Sequence, residues 1–83
     1  MFNFKTGTVI LLERPNGLKG CTEIEILQNW RNLLRISVRN TSGTRASDVW
    51  SEPETYTVSE KTLKEDLMEE IYAPYGDEIT FLR

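Results

Sequence analysis

Across residues 55–71 of this 83-residue chain the apolar residues change their spacing, at Ser59, and that change limits what it can fold into. Before it, TEIEILQ, LLRISVR and ETYTV carry apolar residues at every second position, the period of a strand with one buried face. After it, Leu63, Leu67, Met68, Ile71 and Tyr72 recur at intervals of three and four, the period of a helix with one apolar stripe. The expectation is α+β, mostly β: a small antiparallel sheet or barrel of about five strands, closed by one C-terminal helix at roughly 59–73. A chain of this length supports one core and hence a single domain.

GTVILLE, residues 7–13, is a continuous apolar run and reads as a strand covered on both faces, the expected centre of the sheet, with a turn at PNG, residues 15–17. In TEIEILQ, Ile24 and Ile26 oppose Glu23 and Glu25; in LLRISVR, Leu34, Ile36 and Val38 oppose Leu33, Arg35, Ser37 and Arg39. A hairpin around QNWRN puts the five aliphatic residues on one face. Glu23 and Glu25 then share the other with Arg35 and Arg39, where opposite charges contribute about 0.2–1 kcal/mol per pair. Arg31, Arg35 and Arg39 are also four apart, so LQNWRNLLRI can be drawn as a helix; β-branched Ile36 and Val38, with Asn29 and Asn32 at the turn, favour the hairpin. NTSGTRAS, residues 40–47, reads as a loop, and Pro53 confines the stretch before ETYTV to an edge or a bulge.

Ser59 is placed to cap the helix, with Val58 and Leu63 as a hydrophobic staple and Thr62 with Glu65 as a second capping pair. Pro74 stops it near Ala73. Its outer face carries Lys61, Lys64, Glu65, Asp66, Glu69 and Glu70. The acids crowd the C-terminal end, where the macrodipole disfavours each by about 0.3–1 kcal/mol. YGDEITFLR then supplies a turn and a last strand in which Ile79 and Phe81 alternate with Thr80 and Leu82.

In order and character, GTVILLE, EIEILQ, LLRISVR and ETYTVSEKTLKE resemble the SH3-like small barrels, over residues 5–67. The resemblance implies a small barrel that binds proteins, peptides or nucleic acids. The helix is longer than the single turn usual there, and the acidic tail has no counterpart.

The chain has no histidine and one cysteine, Cys21, which removes the His-dependent triads, the commonest zinc ligand and any internal disulfide. RPNGLKGC lacks the spacing of a phosphate loop. An enzyme is the least favoured class, and no metal or cofactor is expected. The N-terminal apolar run is too short for a signal peptide or a membrane span, so the expected location is cytoplasmic.

Charge is divided along the chain: residues 1–45 hold seven bases against three acids, a net +4, and residues 46–83 hold three bases against ten acids, a net −7. The acidic set Glu65, Asp66, Glu69, Glu70, Asp77 and Glu78 is the leading candidate surface, suited to a protein partner with a basic face. In size and acidity the chain is similar to small phage-encoded inhibitors, anti-CRISPR proteins among them. The alternative surface is Trp30, Arg31, Arg35, Arg39 and Arg45, a basic and stacking set suited to nucleic acid. A third reading is a structural subunit that forms a homodimer through a strand edge or Trp50.

Overall fold

The computed structural model describes residues 4–15, 20–46, 48–71 and 76–83. The expected turn at Asn16 and Gly17, the helix end at residues 72–74 and the side chain of Ile71 lie outside them. Five strands, β1 (Val9–Glu13), β2 (Cys21–Trp30), β3 (Leu33–Thr41), β4 (Glu54–Ser59) and β5 (Glu78–Phe81), form one antiparallel sheet in the order β4-β3-β2-β1-β5. A helix, α1 (Glu60–Ile71), joins β4 to β5 and carries the chain from one edge of the sheet to the other. The fold is thus α+β and mostly β. The two edge strands do not pair with each other, so the sheet stays open and the barrel part of the expectation is not met.

The parity of β2 and β3 is as the alternation requires: Ile24 stands opposite Val38 and Ile26 opposite Ile36, which excludes the helical reading of LQNWRNLLRI. β2 runs further than expected, through Trp30, so only Arg31 and Asn32 form the turn; β3 starts at Leu33 as expected and runs on to Thr41, into the expected loop. Both have positive φ, 51° and 67°, the backbone of a tight turn whose twist matches that of the flanking strands. One extra residue in β2, Leu27, shifts the register. It sets Arg35 opposite Gln28; Glu25 already stands opposite Ser37 in the register that brings Glu23 to Arg39, so of the two expected charge pairs only Glu23 and Arg39 meet.

β1 is buried on both faces from Val9 to Leu12, yet it is not the central strand. β2 is. The apolar run of β1 reports that both its faces are covered, which does not fix a strand's place in the sheet; β2 and β5 flank it.

The core lies between one sheet face and the helix: Phe4, Ile10, Leu12, Ile24, Ile26, Leu34 and Ile36 meet Leu63 and Leu67. Burying each such side chain contributes about 1.5–3 kcal/mol, which is what holds a chain this small together. Val58 packs against the same cluster as Leu63, as a staple does. Ser59 Oγ accepts from the Thr62 amide at 3.0 Å, so the first capping pair sets the helix start and the second, at Thr62 and Glu65, falls inside the helix. Met68, expected in the apolar stripe, is exposed.

Candidate binding cleft and its charged rim

Two backbone hydrogen bonds fix the path of α1 across the sheet. At its start the Glu60 amide donates to Asn32 O (2.7 Å), beside the β2–β3 turn; at its end Glu70 O accepts from the Asp77 amide (3.2 Å), just ahead of β5. The turn and the start of β5 lie at opposite ends and on opposite sides of the sheet, so the helix crosses it on a diagonal. Five strands about 4.8 Å apart make a sheet about 19 Å wide, and one helix covers about 10 Å of it. Two corners of the inner face are left over. Phe4 fills one, held by its carbonyl accepting from Asn29 Nδ2 at 2.9 Å. The other stays open as a cleft of about 580 Å³.

Ile24, Ile36 and Val38 make the floor of this cleft, with Leu63 and Leu67 of α1 on one side and Tyr56 of the edge strand on the other. Thr22, Asn40 and Thr41 line its polar end. Asp66 and Glu70 stand on the helix wall, and Arg14 and Asp77 close the corner below them. Sequence reasoning puts Ile24, Ile36 and Val38 on the buried face but marks neither them nor Tyr56 as part of a site; the only signal is the count of five strands against one helix.

The six acids of the leading set separate. Glu65, Asp66, Glu69 and Glu70 are exposed together on α1. Asp77, by contrast, is only 9% exposed and lies under the helix end, 3.7 Å from Arg14 Nε. Its nearness raises the pKa of Glu70, first by a hydrogen bond between the two carboxyl groups and then by the desolvation of Glu70 and the Asp77 charge, with Arg14 opposing. Glu78 is opposite Glu13 and one residue from core-facing Ile79, so it belongs to the sheet face away from the helix.

The basic set separates too. Trp30, 72% exposed, is the cross-strand partner of half-exposed Leu33, and the Arg31 guanidinium lies 6.0 Å from its ring. Arg35 is exposed on the same face, two residues along β3 from Leu33. Arg39 is committed elsewhere: its Nε and Nη2 donate to Glu23 Oε1 and Oε2 at 3.2 and 3.1 Å, and it lies 4.4 Å from the centre of the half-buried Trp50 ring. Arg45 is exposed in the loop after β3, at the opposite end of the sheet from the turn. The fold therefore gathers Trp30, Arg31 and Arg35 at one tip and leaves out Arg39 and Arg45.

Cys21 is buried, and burial followed by the charge of Glu13 pushes its thiol pKa up, away from the thiolate form a nucleophile needs. The Tyr56 hydroxyl donates to Glu54, and that bond and the Glu54 charge raise the pKa of the phenol. Among the described residues no cluster of acids and Cys21 is arranged to hold a metal ion, and no helix is long and apolar enough to cross a membrane. No protein-family model, no characterised protein and no solved structure matches this chain.

Proposed function

We propose that the chain is a non-catalytic protein-binding module, an inhibitor or accessory subunit of the cytoplasm, that seats a basic segment of a partner protein along α1 and in the cleft beside it. One observation carries this reading: an apolar floor of Ile24, Ile36 and Val38 lies directly under helix acids Asp66 and Glu70. Apolar floors give binding energy, and charged rims give orientation and rate of encounter. Glu65 and Glu69 extend the negative field beyond the rim. The inert, buried Cys21 supports a binding role over a catalytic one.

The test is affinity capture from the native host's lysate, treated with nuclease, using the wild type and a variant with Glu65, Asp66, Glu69 and Glu70 all changed to Lys. Lysines at positions 69 and 70 suit the macrodipole, and a circular dichroism spectrum matching the wild type is required of the variant before capture. The expected result is a protein retained by the wild type, released by salt and lost with the variant. Equal retention by both would sink the reading.

A second reading has its own observation: Trp30, Arg31 and Arg35 share an exposed tip, and an exposed indole beside guanidinium groups is a platform for stacking bases. It predicts retention of single-stranded nucleic acid in a gel shift at low salt, lost in Trp30→Ala.

A further inference from the structure

Among the described residues, the corner where Asp77 meets Glu70 holds one cation, Arg14, against two carboxyl groups. Asp77 Oδ1 is buried without a hydrogen-bond partner among the described residues, and Arg14 Nε is 3.7 Å away, beyond hydrogen-bonding distance. Glu70 faces it from the last turn of α1, tied there by the bond from the Asp77 amide to its own carbonyl. Two carboxyl groups in contact beside one guanidinium leave one negative charge uncompensated. Contact with Asp77 raises the pKa of Glu70, so Glu70 holds its proton to higher pH than an ordinary glutamate does. Asp66 and Glu69 on the same helix add only negative charge, while the cleft lining from β2 and β3, with Cys21, Thr22 and Asn40, brings none of either sign.

A buried acceptor without a donor, at the end of an apolar trough with an acidic wall, describes a receptor for a long side chain with a cationic fork at its end. We propose that this corner receives one arginine of the partner protein, its guanidinium bridging Asp77 and Glu70 and its alkyl stem lying over Ile24 and Val38. The proposal rests on the protein-binding reading above and names the chemistry of the partner. The planar guanidinium offers two parallel N–H donors to carboxylate oxygens, which an ammonium cannot. Glu70 is exposed and swings outward to let the group reach Asp77. As the guanidinium enters, Glu70 gives its proton to water, so one proton leaves for each arginine bound below the pH at which free Glu70 has already lost it. Affinity therefore rises with pH across that interval and levels off above it.

The test is a titration of the ¹⁵N-labelled protein with Nα-acetyl-arginine methylamide, followed through the backbone amide signals of Thr22, Val38 and Asp77. Nα-acetyl-norleucine methylamide and Nα-acetyl-lysine methylamide are the comparison probes. Saturable shifts are expected, with arginine binding about tenfold or more tighter than either comparison probe. Asp77→Asn and, at the exposed partner, Glu70→Gln each remove that preference. If arginine and norleucine saturate equally, the arginine receptor is wrong while the cleft still accepts a partner's side chain, and the protein-binding reading survives. Lysine equal to arginine overturns the guanidinium assignment. No saturation by arginine, or an unchanged preference in both variants, overturns the proposal outright, whereas the protein-binding reading falls only on the charge-reversal capture above.

Discussion

Asn29 Nδ2 donates to the carbonyl of Phe4 at 2.9 Å, a hydrogen bond between residues 25 apart in sequence that fixes the Phe4 ring in the core. Phe4 is thereby the stopper of one corner of the inner face, and its removal turns that corner into a second cavity. Phe4→Ala is expected to cost about 3–5 kcal/mol, a large share of the about 5–15 kcal/mol a small domain has. Asn29→Ala, which removes the tether and leaves the ring, costs about 1 kcal/mol. Urea denaturation of the two variants checks both; a Phe4→Ala loss below about 1 kcal/mol means the ring packs loosely and the corner is not sealed by it.

The β2–β3 turn carries a built-in strain that a substitution can relieve. Arg31 has φ 51°, a conformation that an arginine adopts at a cost and that asparagine or glycine adopts readily. Changing Arg31 to Asn together with Asn32 to Gly gives the turn the residues its backbone prefers. The expected gain is about 1 kcal/mol, read as a rise of about 4–8 °C in Tm for a domain of this size. The same double variant removes the guanidinium beside Trp30. Should the tip bind nucleic acid, the variant is more stable and retains less of it, a combination that a purely structural Arg31 does not produce.

Arg39 holds Glu23 with two hydrogen bonds and covers Trp50, so its role is to fasten the loop after β3 onto the outer face of the sheet. The ion pair is partly exposed on both sides, and its worth is about 0.2–1 kcal/mol. The contact with the indole adds about 0.5–1 kcal/mol. Double-mutant cycles that pair Arg39→Ala with Glu23→Ala and with Trp50→Ala measure the two couplings separately. Both are expected to be positive and Arg39→Ala to leave any gel shift unchanged; zero coupling to Trp50 would return Arg39 to the list of residues available to a ligand.

How far the sequence reaches depends on the range of each interaction. The cap at Ser59 was legible because its partner, Thr62, is three residues away, and the shared face of Ile24 and Ile36 because a hairpin keeps parity. The place of β1 was not. A run such as VILLE shows that both faces are covered, but its second neighbour, β5, is four residues long and returns only after the helix. Arg35 does not meet Glu25 because the register that sets Glu23 opposite Arg39 sets Glu25 opposite Ser37, and alternation fixes which face a residue takes but not its register. The four helix acids were legible as a group through their spacing, whereas Asp77 after Gly76 looks like any turn acid. Its burial follows from the diagonal of α1, a property of the packed whole, and so does the cleft.

The carboxyl pair at the cleft corner makes stability depend on pH in a direction opposite to that of most acids. Glu70 has its pKa raised in the fold, chiefly by the hydrogen bond with Asp77, so the folded chain holds that proton more firmly than the unfolded one. Its stabilising contribution is complete below the ordinary glutamate pKa and is lost as pH rises to the raised value. Above that it changes no further, because both states are then ionised. The wild-type curve alone does not isolate the contribution of this one group. The difference between wild type and Glu70→Gln does: glutamine keeps an N–H donor toward Asp77 and cannot ionise. The advantage of Glu70→Gln over the wild type is expected to grow across the interval between the two pKa values and to stay constant at higher pH. Denaturant midpoints measured from acid to neutral pH at fixed ionic strength supply the comparison. A difference that does not vary with pH, or that shrinks as pH rises, means Glu70 titrates alike in both states and the two carboxyl groups share no proton.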